Sequence, residues 1–181
     1  MLSFTSRLSV DSEAFTIFVT EKYGYKDRKD VLSDYVVKKI NSFLNILKAK
    51  KKDEAISSFD VSEKQKCFII KVKNKSINYS AEDNGAAFFT YLKKFEDIKK
   101  VDLYVDSLDF DEEKLAKFSS EFIFGFNLKN YTFNKYKTLN KEKINKNVNF
   151  KVISSNKEKI ENKYRYYDAI KAGFFFARYL V

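Results

Sequence analysis

The stretch CFIIKVK, Cys67 to Lys73, constrains this chain more than any other. It is a compact apolar run of strand length, suited to the interior of a sheet whose faces are both covered. Helical and strand patterns then alternate behind it. Ser80 and Asp83 open a capping-box-like start, and Ala86, Ala87, Phe88, Tyr91, Leu92 and Phe95 recur at helical spacing. VDLYV (Val101 to Val105) reads as the next strand, Leu115, Phe118, Phe122, Ile123 and Phe126 as one face of a helix, and VNFKVIS (Val148 to Ser154) as another strand. Ser155 and Glu158 form a second capping box. After it Ile160, Tyr164, Tyr167, Ile170, Phe174, Ala177 and Val181 keep one helix face apolar. Such repetition predicts an α/β fold, a mixed twisted β-sheet with helices on both faces.

The N-terminal third fits the same plan. LSFTSRLSV (Leu2 to Val10) alternates apolar and polar residues, and AFTIFV (Ala14 to Val19) is β-branched and aromatic, so two strands are expected around the turn Asp11 to Glu13, as a hairpin or paired edge that gives antiparallel pairing at the N-terminal end. Val31, Leu32, Tyr35, Val36, Ile40, Phe43, Leu44 and Leu47 mark an amphipathic helix. The basic run KAKKKDE behind it reads as a solvated C-terminal cap that complements the helix dipole.

With 181 residues and 44% hydrophobic content the chain can bury one core. What is missing narrows the chemistry. No histidine occurs, which removes the usual zinc ligand and every Ser-His or Cys-His nucleophile pair from this chain. Cys67, the single cysteine, has no partner for a disulfide and reads as a small core residue in a reducing compartment. Gly24, Gly85, Gly125 and Gly173 lie too far apart for a phosphate-cradling loop. The acidic cluster Asp106 to Glu113 suits the positive end of a helix dipole, and Glu112 and Glu113 are expected on different helix faces rather than as an acid/base pair. Catalytic, cofactor-binding and metal-ligating residues are therefore expected to number none here. Neither a signal peptide nor a membrane span is legible, so a cytoplasmic protein is expected. The net charge of +10 invites a nucleic-acid reading, but the accompanying excess of asparagine, isoleucine, phenylalanine and tyrosine is a composition that AT-rich coding produces without any ligand.

YTFNKYKT, Tyr131 to Thr138, packs three aromatics and two lysines into eight residues. Tyr131 and Phe133 serve as core anchors on one reading, and on the other the stretch is a stacking platform for bases. In context, EFIFGFNLKNYTFNKYKT resembles a segment of the N-terminal domain of M17-family leucyl aminopeptidases, matched at Gly125, Leu128, Tyr131, Phe133, Tyr136 and Lys137. AIKAGFFFARYLV (Ala169 to Val181) is similar to the helix that leads into that family's catalytic domain, matched at Gly173, Ala177, Arg178, Leu180 and Val181, with Tyr179 where an aspartate is usual. FDVSEKQKCFIIKV (Phe59 to Val72) resembles the family's strand ending in Gly-Leu-Gly, with Lys71 and Val72 in place of the glycines.

The resemblance implies a macro-domain-like, non-catalytic N-terminal domain over residues 1–155 and a connecting helix over 156–181. It further implies a catalytic domain outside this chain, where two divalent ions, manganese or zinc, hydrolyse the peptide substrate, in a homo-hexameric parent with a role in peptide degradation. On this expectation the domain assists assembly and regulates access, and the chain by itself is inactive. The apolar stretch GFFFARYLV is then expected to be covered by other polypeptide. Two alternatives stand beside it: a free-standing basic domain that binds nucleic acid, and, by fold analogy, an ADP-ribose-type binder.

Overall fold

A computed structural model describes residues 2–6, 12–27, 30–50, 53–73, 81–131 and 148–180. Six strands, β1 (Leu2–Thr5), β2 (Ala14–Thr20), β3 (Ile56–Ser62), β4 (Gln65–Val72), β5 (Lys100–Tyr104) and β6 (Asn149–Ile153), form one sheet in the order β1-β6-β5-β2-β4-β3. Four α-helices accompany them: α1 (Asp34–Ala49), α2 (Ala81–Leu92), α3 (Glu112–Asn130) and α4 (Lys157–Leu180). One side chain set, Phe18, Phe68, Ile70, Leu103 and Val152, faces α2, α3 and the start of α4. The alternate set, Phe15, Ile17, Cys67, Ile69 and Tyr104, faces α1. The expected α/β sandwich with helices on both faces is the one that forms.

Strand pairing departs from expectation at the N-terminus. β1 and β2 make no hairpin: β1 pairs parallel with β6 at one edge, and β2 sits between β5 and β4, parallel to both. The reason lies in β2 itself, which is buried from Ala14 to Val19 on both faces, so it needs a neighbour on each side. The antiparallel pair is instead β3–β4. Sequence reading placed a strand at Cys67 to Lys73 and missed β3. The β3–β4 turn carries no Gly, Pro or Asn; the Ser62 hydroxyl accepts the Lys64 N–H at 3.3 Å and does the work of a turn residue. On the outer edge of β3, Lys39 Nζ donates to the Val61 carbonyl at 2.7 Å, which blunts that edge.

Helix ends follow local chemistry. Ser33 caps α1 by accepting the Val36 N–H, so Val31 and Leu32 lie just outside the helix and are buried against it. Asp111 caps α3 through the Lys114 N–H at 2.8 Å. The capping box expected at Ser155 does not form: its hydroxyl donates to Asp106, and Ser154 Oγ accepts the Asn156 N–H instead. The start at Ser80 lies outside the described residues, as do Arg7 to Asp11.

Two glycines fix how α2 meets α3. A Cβ on Gly85 would stand 1.9 Å from the Phe122 carbonyl oxygen, and one on Gly125 would stand 2.0 Å from that of Glu82. The helices therefore touch backbone to backbone. Their closeness brings Phe88, Phe122 and Phe126 over the sheet, with Phe18 edge-on to Phe122 at 5.1 Å and Phe150 edge-on to Phe126 at 4.5 Å. Replacing either Gly85 or Gly125 by alanine should cost about 2–4 kcal/mol, because backbone rather than a flexible side chain must yield. Urea unfolding of the two variants checks this, with an unchanged midpoint as the contrary outcome.

Candidate functional site

In open α/β sheets, ligands bind beyond the carboxyl ends of strands where the order reverses. Here that place lies past β2, with β5 on one side and β4 on the other. The chain's own side chains occupy it. Ser107 Oγ accepts the Phe18 N–H at 2.8 Å and donates to the Tyr104 carbonyl at 2.7 Å, closing the gap between β2 and β5. Lys71, at the end of β4, is 5% exposed, donates to Asp53 at 3.0 Å and lies 4.1 Å over the Tyr23 ring. Burial opposes its charge, yet hydrogen bonds to Tyr23 and Asp53 outweigh that and raise its pKa, while Lys71 in turn lowers that of Asp53. Tyr23 is held at φ 59, in the left-handed region that favours glycine. A buried lysine already boxed by a carboxylate and a ring is a structural fixture rather than a nucleophile.

One strand further along, Asp106 is buried and accepts from Ser154 Oγ, from the Ser155 N–H at 2.7 Å and from Ser155 Oγ at 2.9 Å. It clamps the β5–α3 junction to the start of α4. Sequence reading placed Asp106 in an acidic cluster at the positive end of a helix dipole; its burial became legible only once β5 and β6 were paired. Nearby, Lys159 reaches the carboxylates of both Glu112 and Glu113, at 3.3 and 2.9 Å. Asp106→Ala should leave two hydroxyls and an amide short of an acceptor, and lower the unfolding free energy by about 2–3 kcal/mol in a denaturant titration.

Two open clefts lie elsewhere among the described residues. The larger, about 550 Å³, lies at the opposite pole, where Glu13 accepts the Lys99 and Lys100 N–H groups and Lys66 pairs with Asp60 over Phe95. The other, about 400 Å³, opens between β1, α3 and α4; Asn127 donates there to Tyr164 at 3.2 Å, and Tyr164 to Asp168 at 3.3 Å. Among the described residues no group of three His, Cys, Asp or Glu side chains could hold a metal ion. Cys67 is buried, its thiol pushed well up by burial, as suits a core residue. No helix among the described residues is long and apolar enough to cross a membrane.

The most exposed apolar surface belongs to α4. This helix runs parallel to α3: Lys159 meets Glu112 and Glu113, Tyr167 donates to Glu121 at 3.0 Å, and Phe175 stacks on Tyr131 at 4.0 Å. Its first half is anchored by Ile160 and Tyr164, both buried. Beyond Tyr164 the helix is largely exposed, with Tyr166 at 64%, Ile170 at 39%, Phe174 at 47% and Phe176 at 65%. Arg178 closes the inner side, 4.9 Å over the Phe174 ring and 5.7 Å over that of Tyr131. Of YTFNKYKT only Tyr131 is described, and it is the anchor of this stack; Phe133, Tyr136 and Lys137 lie outside the described residues.

No family model matches the chain, and no curated protein does. Solved structures do. A tomato leucine aminopeptidase, the K354E mutant, superimposes with a TM-score of 0.71 at 15% identity, over 99% of this chain. This chain spans 37% of that one's length. The macrodomain of Thermus aquaticus DarG matches with a TM-score of 0.53 at 11% identity, over 85% of this chain and 98% of its own. The fold is thus the macro-domain-like one.

Tyr25 and Tyr167 give these surfaces a pH signature. Burial pushes both phenols from 10.0 up to about 12, helped by the charge of Asp27 at Tyr25 and by the hydrogen bond to Glu121 at Tyr167. The unfolded chain then ionises first, so stability should fall as pH rises from 10.0 towards about 12. Tyr25→Phe and Tyr167→Phe should flatten that alkaline slope in urea titrations; slopes equal to wild type would contradict the assignment.

Proposed function

We propose that residues 1–155 are the non-catalytic N-terminal domain, and 156–181 the connecting helix, of a metal-dependent leucyl aminopeptidase that removes N-terminal residues from peptides. The observation that carries this reading is the inner side of α4 beyond Asp168, where Phe174 and Arg178 run on past the end of α3 with aromatic surface exposed. Superposition on a leucine aminopeptidase over 99% of the chain supports it. So does the resemblance at Gly125, Tyr131, Gly173 and Arg178, since Gly125 forms the α2–α3 contact and Arg178 lies over Tyr131.

The described residues offer no ligand set for two divalent ions, so on this reading manganese or zinc is held by the catalytic domain. This chain contributes a rigid body and a handle for assembly into a homo-hexamer. A nucleic-acid role draws no support: Lys26, Lys66, Lys71, Lys73, Lys117, Lys159 and Lys171 all pair with carboxylates. The test is the size of the native polypeptide in its source cells, by immunoblot. A species far above 21.3 kDa that releases N-terminal leucine in a metal-dependent manner is the expected result. A single species of 21.3 kDa, without such activity, overturns the proposal.

A further inference from the structure

The cleft between β1, α3 and α4 joins an apolar floor to a polar wall. Leu2, Phe4, Ile123, Val148 and Phe150 form the floor of a space of about 400 Å³, which lies within the roughly 300–1,000 Å³ of small-molecule sites. Along α4, Glu161, Tyr164, Asp168 and Lys171 recur at spacings of three and four, so they share one helix face and form the wall, with Arg165 beside Tyr164. Asn127 adds a side-chain amide from α3.

The hydrogen-bonding groups of this wall are only partly used. Tyr164 donates to Asp168 Oδ1 at 3.3 Å, so its hydroxyl accepts from Asn127, at 3.2 Å. That sets the amide nitrogen of Asn127 against the tyrosine and leaves the amide oxygen without a partner among the described residues. Lys171 meets the same oxygen of Asp168, which leaves Oδ2 open as an acceptor. Arg165 touches Glu161 through a single nitrogen, at 3.3 Å, and the rest of its donor fork is uncommitted. Two acceptors, Asn127 Oδ1 and Asp168 Oδ2, thus stand about one helical turn from a donor, Arg165.

Charge narrows what the cleft can take. Lys171 balances Asp168 and Arg165 balances Glu161, so the wall carries no net charge. A simple anion would meet two carboxylates there, and a simple cation would meet Lys171 and Arg165. A wholly apolar molecule would cover the open oxygens of Asp168 and Asn127 without giving them donors, which leaves them desolvated and unpaired. A molecule that carries an ammonium, a carboxylate and an apolar body escapes all three objections. We propose that this cleft binds a free amino acid with a large apolar side chain. Its α-ammonium donates to Asp168 Oδ2 and Asn127 Oδ1, its α-carboxylate accepts from Arg165, and its side chain lies on Phe4, Val148 and Phe150. Tyr164 and Lys171 are positioning residues, which hold Asp168 in place through Oδ1. The site stands independently of the aminopeptidase reading, because none of its residues is used to support that reading.

The test compares L-phenylalanine with two analogues that each lack one charged group, phenethylamine without the carboxylate and hydrocinnamate without the ammonium. In methyl-resolved NMR titrations of the unmodified chain, the ring of L-phenylalanine should shift the signals of Leu2, Ile123 and Val148, with a dissociation constant on the order of a millimolar. Each analogue should bind at least about tenfold more weakly. Asp168→Asn, which keeps an acceptor for Tyr164, should weaken L-phenylalanine at least about fivefold and leave hydrocinnamate no weaker. Arg165→Gln should weaken L-phenylalanine to a similar extent and leave phenethylamine no weaker. At least half of each of these two side chains is exposed, so an unchanged melting temperature is expected and shows that the fold is kept. The proposal is overturned if those methyl signals stay in place up to about 20 mM L-phenylalanine, if the three probes bind alike, or if either variant binds L-phenylalanine as the wild type does.

Discussion

The contact of α2 with α3 is the constraint on which the rest of this domain hangs. Backbone meets backbone at Gly85 and Gly125, so the two helices cannot separate or slide without losing the layer beneath them. That layer is the aromatic raft of Phe18, Phe68, Phe88, Phe122, Phe126 and Phe150, whose edge-on pairs need fixed ring positions. α4 in turn rests on α3, through Tyr167 against Phe124 and Glu121. A glycine pair thus sets the depth of the core, and through α3 it sets the line along which the last helix leaves.

Much of this was legible in the sequence, and the gaps have physical causes. CFIIKVK, VDLYV and VNFKVIS each became strands because continuous apolar runs suit doubly covered positions. The helix pattern at Leu115 to Phe126 held on its apolar periodicity, and that at Val31 to Leu47 held from Asp34 onward, since Ser33 caps α1. β3 escaped notice because ISSFDVS has three serines in seven residues and its turn lacks the usual residues. The supposed hairpin failed because local alternation in LSFT cannot reveal a partner that lies at Asn149–Ile153.

The candidate surfaces were legible to different degrees. An exposed apolar end of α4 could be read from GFFFARYLV, since apolar residues there surround the helix. Which side is the outer one could not, because that depends on where α3 lies. Gly125 carried a family resemblance, while its reason, the approach of Glu82, is a tertiary fact. Lys71 and Asp106 show the opposite limit. Lys71 sits in an apolar run and Asp106 in an acidic cluster, and only the pairing of strands shows the partners that hold them, Tyr23 and Asp53 for one, Ser154 and Ser155 for the other.

The pairing of β1 with β6 carries a consequence for how the protein is made. Leu2 aligns with Phe150 and Thr5 with Ile153, so during synthesis β1 waits for nearly the whole domain before it gains a neighbour. Contacts this distant in sequence are slow to close. Until then β1 is an unpaired strand of uncharged side chains, and the interval before β6 emerges is when it is most open to mispairing or to capture by a chaperone.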